Sequence, residues 1–110
     1  MLDKTFIERL EGFIAGANKL RADMLAKDFP TLAALPGYQN PLQVTEGPRY
    51  LRVVREESSQ RSVYCFIDKT NGDVLKAAGW KAPAKGARSN INDADFGLSG
   101  VTQYGGRYLR

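Results

Sequence analysis

The sequence contains no histidine, and this absence removes the side chain that most often acts as a general base or a metal ligand. Its single cysteine, Cys65, cannot form an intrachain disulfide or a cysteine-based zinc site. Cys65 stands inside the apolar run from Val63 to Ile67, which is typical of a buried thiol rather than a nucleophile. We therefore expect no catalytic residue, no metal site and no cofactor.

Long apolar runs are also missing. No stretch approaches the length of about 20 apolar residues that a membrane-spanning helix needs. Asp3, Glu8 and Glu11 interrupt the first apolar residues, so the start of the chain lacks the apolar segment of a signal peptide. These absences predict a cytoplasmic protein that has no membrane partner.

The length and the net charge of the chain limit the classes of function that it can have. The chain has 110 residues, which is the size of one domain, and its core would be modest enough to benefit from self-association. Sixteen Lys and Arg against twelve Asp and Glu give a net charge of +4. This small excess fits a ligand with a few phosphates, and equally a surface that is merely soluble. Long nucleic acid usually selects a denser basic patch.

Residues 1–29 are predicted to form one long helix. Thr5 and Glu8 have the spacing of a capping box, and Pro30 should end the helix at or before Phe29. Apolar residues recur every three or four positions, at Phe6, Leu10, Phe13, Ala17, Leu20 and Met24.

Counted from its cap, the helix would hold about 24 residues and be about 36 Å long, which exceeds the width of a domain of this size. It could lie across its own sheet, and we also expect part of it to contact a second subunit. Gly12 and Gly16, four residues apart, would permit the close approach of another helix.

The remaining residues predict an α+β fold, with the long N-terminal helix packed on a small antiparallel sheet. Residues 30–48 hold four of the five prolines and predict an extended connection, pinned to the core by Tyr38, Leu42 and Val44. Residues 49–110 should form the sheet and ligand loops, with strands at 49–55, 62–68, 74–77 and 101–109. The last strand should bend at Gly105 and Gly106.

The segment between Asp73 and Asp93 has the composition of a nucleotide site. It holds four positive charges and no negative one, at Lys76, Lys81, Lys85 and Arg88. Lys and Arg donate to phosphates, while the only tryptophan, Trp80, offers a flat ring on which a base can stack. Asn90 and Asn92 carry both donors and acceptors for a base edge or a ribose.

Simpler interpretations of the same segment remain open. The lysines could form a solvated loop, Trp80 could be a core residue, and residues 90–93 could cap a helix. Asp93 and Asp95 could share a face as a metal or acid–base pair, although capping is the commoner role of such residues. No glycine pattern matches a known phosphate-binding loop.

Four blocks of the chain resemble the phage-encoded Thoeris anti-defence protein 1 family. They comprise Phe66 to Asp73, Lys76 to Ala78, Trp80 to Ile91, and Tyr104 to Leu109. The resemblance implies a sponge that binds cyclic ADP-ribose isomers in the infected host's cytoplasm and releases them intact, so that Thoeris immune signalling is blocked. It also implies a homo-oligomer, with a hexamer expected, in which ligand lies between protomers.

The resemblance implies ligand contacts at Arg55, Trp80, Asn90 and Arg107, with Asn92 or Asp93 following Asn90. Arg49 and Arg52 compete with Arg55 for the position on the sheet. Some members of that family also bind cyclic trinucleotides at a second site, for which Arg21 is a candidate here. Cyclic di- or trinucleotides are therefore further expected ligands. No stable nucleic-acid partner is expected.

Two other functions fit the same residues. The first is sequence-tolerant binding of single-stranded nucleic acid through Trp80, the tyrosines and the basic segment, with strong salt dependence. The second is inhibition of a host protein through the N-terminal helix.

Overall fold

A 25-residue helix, α1 (Lys4–Asp28), packs on one face of a five-stranded antiparallel sheet in the computed structural model, which describes residues 3–38, 40–102 and 105–106. This confirms the predicted α+β fold. The other elements, in chain order, are α2 (Pro30–Ala33), β1 (Gln43–Glu46), β2 (Tyr50–Glu57), β3 (Gln60–Asp68), β4 (Asp73–Ala77), β5 (Pro83–Asn90), β6 (Val101–Thr102) and β7 (Gly105–Gly106). Within the described residues, no helix has both the length and the apolar character needed to cross a membrane.

The start of α1 differs from the prediction. Asp3 is the N-cap, and its Oδ1 accepts a hydrogen bond of 2.7 Å from the Phe6 N–H. The capping box expected at Thr5 is therefore wrong by two residues, because Asp3 supplies an equally good cap earlier in the chain. The end of α1 at Asp28, just before Pro30, is confirmed.

The apolar stripe of α1 faces its own sheet. Phe13 and Ala17 are completely buried there, against the inward side chains of β2, β3 and β4. Cys65 belongs to this core, as predicted, and burial raises the pKa of its thiol. Met24, the last residue of the predicted stripe, lies outside the core and lines a groove described below.

Gly12 and Gly16 serve a different contact from the one proposed for them. A Cβ on either residue would overlap a side chain from the turn after β5, Phe96 for Gly12 and Leu98 for Gly16. Arg9 holds the same turn, since its Nε donates to the Ile91 carbonyl at 2.8 Å and its guanidinium lies 4.0 Å from the Phe96 ring centroid. The small residues therefore let this turn approach α1.

The sheet is a simple meander, in the order β1-β2-β3-β4-β5. The predicted hairpin of β2 and β3 is confirmed, and its turn is tighter than the polar loop expected at residues 56–60. Glu57 pairs with Gln60, so only Ser58 and Ser59 form the turn, with φ values of 51° and 69°. Positive φ at both turn residues is the geometry that suits the twist of an antiparallel hairpin.

Three other expectations need correction. Residues 30–48 contain α2, a 3-10 turn and β1 rather than a purely extended connection, and Val44 is exposed while Leu42 is buried. Residues 101–109 do not begin as one bent strand, because β6 and β7 pair with each other as a separate two-stranded sheet. Residues 103, 104 and 107–109 lie outside the described part of the chain.

The segment between Asp73 and Asp93, interpreted as ligand loops, contains the strand β5. Its residues, Pro83 to Asn90, lack the apolar alternation and the β-branched side chains that predict a strand. They form one because β4 offers an unpaired edge, with Asp73 opposite Asn90 and Ala77 opposite Pro83.

Gly105 provides a test of how β7 is held. Its φ is +129°, and a Cβ would overlap the backbone carbonyl oxygen of Tyr64. We expect Gly105→Ala to lower the free energy of unfolding by at least about 2 kcal/mol, as measured by urea denaturation. The control is Gly79→Ala, where a Cβ meets nothing within 4 Å. The control should change stability by less than about 0.5 kcal/mol, and equal effects would contradict the placement of β7.

Candidate functional site

The face of the sheet opposite α1, called the far face, carries a second apolar cluster. Side chains alternate along a strand, so Arg52 and Phe66 face away from the α1 core to which their neighbours belong. Phe66 is 2% exposed and Val54 is 1% exposed, although neither belongs to that core. The loop between β4 and β5 reaches this face, since Arg52 Nε donates to the Trp80 carbonyl oxygen at 2.8 Å.

Arginine and aromatic side chains form a continuous row on the far face. Each member contacts the next, and the arginine–aromatic row consists of Arg49, Tyr50, Phe66, Arg52, Trp80 and Arg61. At its exposed end, the guanidinium carbons of Arg52 and Arg61 lie 5.0 and 5.7 Å from the Trp80 ring centroid. These distances are within the range of cation–π attraction.

The row differs in exposure along its length. Trp80 is 42% exposed, whereas Phe66 is buried and packs edge-on against Tyr50 with a centroid separation of 6.1 Å. Trp80 is therefore the ring that can present a face to a ligand, and the inner rings support the residues around it.

Positive charge around Trp80 is largely uncompensated. Among the described residues, no carboxylate lies within ion-pairing distance of Arg52, Arg61 or Lys81. Glu56 is the cross-strand neighbour of Arg61, and its Oε1 accepts instead from the Asn40 amide at 3.4 Å. The exposed end of the row is consequently suited to an anion.

The opposite end of the row, at Arg49, is anchored by a buried carboxylate. Arg49 donates to Asp68 Oδ2 at 3.3 Å, and Asp68 Oδ1 accepts from the N–H and hydroxyl of Thr70. Burial alone would raise the pKa of Asp68, but the bonds from Thr70 and Arg49 outweigh it and hold this pKa below its usual value. Asp68 therefore stabilises the fold at neutral pH, and this contribution fades as the pH falls through its lowered pKa.

A shallow cavity of about 250 Å³ lies beside the row. Arg49, Tyr50, Arg52, Phe66 and Lys81 line one side of it, and the turn of residues 45–48 lines the other. The cavity gives the flat surface around Trp80 a concave neighbour that is rich in donors.

The structure separates the residues that the sequence grouped into one site. Trp80 and Lys81 lie at the far face, while Arg55 lines a groove on the α1 side, where its Nε lies 3.2 Å from Ser62 Oγ and 3.2 Å from Glu57 Oε1. Of the three sheet arginines considered, Arg52 is the one that contacts Trp80.

Asn90, Asn92 and Asp93 lie at the other end of β5, next to the turn before β4. Asn90 Nδ2 donates to the Asn71 carbonyl at 2.9 Å and to Asp73 Oδ1 at 3.0 Å, while its Oδ1 accepts from the Asn92 N–H. Asp93 Oδ2 accepts from the Asn90 N–H at 3.0 Å. Within the chain, these side chains close a turn.

The remaining predicted residues are dispersed. Lys85 is exposed on β5, and Arg88 Nη1 donates back to the carbonyls of Lys85 and Gly86. Asp95 caps the following turn through the N–H groups of Gly97 and Ser99. Arg107 lies outside the described residues.

Sequence reasoning missed most of the arginine–aromatic row. The sequence predicts Tyr50 and Arg52 as strand residues, but it does not predict that Phe66 and Arg61 lie near Trp80. A cross-strand alignment of the predicted hairpin would have placed Arg52 opposite Phe66, which is the observed pair. The contact with Trp80 depends on how the loop after β4 folds back, and no local pattern indicates it.

The role of Asn90 in closing the turn can be tested through stability. Asn90→Asp removes two donated hydrogen bonds and places a carboxylate beside that of Asp73, so we expect a loss of about 1–3 kcal/mol in urea denaturation. Asn92→Asp is the control, because its amide makes only a 3.4 Å bond to the Asn71 carbonyl. A loss from Asn92→Asp as large as that from Asn90→Asp would contradict this role.

A family profile matches residues 5–109, and its description is a family of unknown function, DUF7717. The chain matches no curated protein and no solved structure. The match covers nearly the whole chain, including α1, the far face and the strands around it. The protein therefore belongs to the DUF7717 family.

Proposed function

We propose that this protein binds and sequesters a nucleotide-like anion at the exposed end of the arginine–aromatic row. The proposed ligand is a cyclic ADP-ribose isomer, held without cleavage, so that a phage carrying the protein would block Thoeris signalling. The observation that carries the proposal is the half-exposed Trp80 ring, with Arg52 and Arg61 5.0 and 5.7 Å from its centroid.

The chemistry of the row matches the two parts of such a ligand. A base stacked on an aromatic side chain contributes about 1–3 kcal/mol, and guanidinium groups donate paired hydrogen bonds to phosphate oxygens. Arg52 is already fixed by its bond to the Trp80 carbonyl, so little side-chain freedom is lost when an anion binds. Lys81 adds a further positive charge beside the cavity.

Sequestration rather than hydrolysis is supported by the neighbouring acids. Asp68 is bound by Thr70 and Arg49, and Glu46 accepts from Lys69 at 2.8 Å. A carboxylate held in this way is a poor general base, because its lone pairs already accept hydrogen bonds from the protein. The chain also has no histidine that could serve in its place.

Neighbouring chains would complete the site in this proposal. Arg55, Asn90, Asn92 and Asp93 lie away from Trp80 within one chain, and an oligomer could bring them to the ligand of a neighbour. Large apolar side chains are exposed on the described surface, where an assembly would cover them: Ile7, Phe29, Leu35 and Val44. The resemblance implies a hexamer, and places Arg107 at the same ligand.

The second candidate is a binder of single-stranded nucleic acid. The row of aromatic and basic side chains favours it, since successive bases stack on such platforms. The burial of Phe66 argues against it, because only Trp80 among the three rings is substantially exposed. The single exposed ring of Trp80 can stack on one base, which suits a nucleotide better than a strand with several successive bases.

Binding can be tested by native mass spectrometry and calorimetry with cyclic ADP-ribose isomers, followed by heat release of the ligand. Trp80→Ala should weaken binding about 5- to 150-fold, which corresponds to the loss of one stacked base. Arg52→Gln should weaken it at least about tenfold, as expected when a charged hydrogen-bond donor is lost. Lys27→Gln, which removes an exposed positive charge on α1, is the control and should have no effect.

The released ligand should be chemically unchanged. A linear product would instead make the protein an enzyme. Failure to take up any isomer, together with salt-sensitive binding of single-stranded oligonucleotides, would establish the second candidate.

A further inference from the structure

A second cavity lies on the α1 side of the sheet, away from the arginine–aromatic row. It has a volume of about 470 Å³, within the range of about 300–1,000 Å³ that is usual for small-molecule pockets. The last turns of α1, α2, the 3-10 turn and the end of β2 enclose it. We call it the α1 groove, and its apolar wall includes Met24, Leu25, Phe29, Leu32, Tyr38 and Pro41.

Arg21 is the distinctive polar residue of this groove. It is half-buried, and it makes no hydrogen bond or ion pair with any described residue. Burial lowers the pKa of Arg21. The negative charge of Glu57 opposes this shift, and the positive charge of Arg55 lowers the pKa further. A guanidinium that has lost part of its hydration without a carboxylate at ion-pairing distance favours the arrival of an anion.

Several other polar groups in or beside the groove are already engaged. Glu57 lies 3.2 Å from Arg55, Asn18 Oδ1 accepts from the Leu42 N–H at 2.8 Å, and the Asn40 amide donates to Glu56. These bonds hold the polar part of the groove in shape. Of the two arginines that line the groove, Arg55 is bound to Glu57 and Ser62, whereas Arg21 has no hydrogen bond or ion pair with a described residue.

We propose that the α1 groove binds a small amphipathic monoanion, whose carboxylate pairs with Arg21 and whose apolar body lies against Met24 and Phe29. Because Arg21 carries one positive charge, it favours a ligand with one negative charge. A polyanion such as a nucleotide fits poorly, because the carboxylates of Asp28 and Glu57 also line the groove and would repel it. The groove lies on the opposite face of the sheet from Trp80, so its binding can be measured separately from binding at the exposed end of the row.

Octanoate is a suitable probe, with octyltrimethylammonium as its cationic counterpart. Calorimetry should show saturable binding of octanoate at one site per chain and no binding of the cation. Arg21→Gln should weaken octanoate binding at least tenfold, and Arg21→Lys should weaken it less, because the charge is kept. Lys27→Gln removes a charge of the same helix outside the groove, and Trp80→Ala disables the far face. Both controls should bind octanoate within twofold of the unaltered chain.

Amide chemical shifts of the unaltered protein provide a second readout, which does not depend on the folding of any variant. Octanoate should shift the amides of residues 18–33 and 55–57 and leave those of residues 79–81 unchanged. The absence of saturable binding, shifts confined to other residues, or full binding by a folded Arg21→Gln variant would each overturn the proposal. So would a homodimer that excludes octanoate and that Leu32→Glu dissociates, because a second copy would then occupy the groove.

Discussion

The hydrogen bond from Arg52 Nε to the Trp80 carbonyl oxygen joins positions 28 residues apart and brings the loop after β4 onto the far face of the sheet. Without this contact, Trp80 would be an aromatic residue on an exposed hairpin, and Arg52 would be an exposed basic residue on β2. With it, the indole has guanidinium groups of two strands beside it, and Phe66 is covered. The candidate site is therefore produced by the way the hairpin folds back, and not by any single segment of sequence.

The sheet separates two environments that suit different ligands. The far face presents a half-exposed indole with several cations that no described carboxylate pairs with, which favours a flat ligand bearing more than one negative charge. The α1 groove is largely apolar and holds two arginines and two carboxylates, of which Glu57 pairs with Arg55 and not with Arg21. Within one chain, the buried residues of β2, β3 and β4 lie between the two sites.

The sequence contained the information needed for α1, the β2–β3 hairpin and β4, because each carries a local pattern. Phe13 and Ala17 follow the helical period, and Asn71 with Gly72 marks the turn before β4. Residues 83–90 carry no such pattern and become β5 only through the open edge of β4. The β6–β7 pair was missed for a similar reason, since Gly105 contacts the backbone of Tyr64, far away in sequence.

Residue type alone identified Trp80 and Lys81 as ligand candidates, and the structure places both beside Arg52. It could not rank Arg49, Arg52 and Arg55, because the choice depends on which face of β2 each side chain occupies. For Asn90, residue type alone does not reveal the bonds that the side chain makes within the chain. Its amide has the chemistry to bind a ribose, yet within the chain it is committed to Asn71 and Asp73.

Fluorescence of the sole tryptophan tests the far-face site most directly, because every photon of indole emission comes from Trp80. Titration with a cyclic ADP-ribose isomer should change the emission saturably, and Arg52→Gln should shift the titration to higher ligand concentration. Emission that stays constant while calorimetry shows the same ligand binding would place the ligand elsewhere, and would contradict the assignment of the far face.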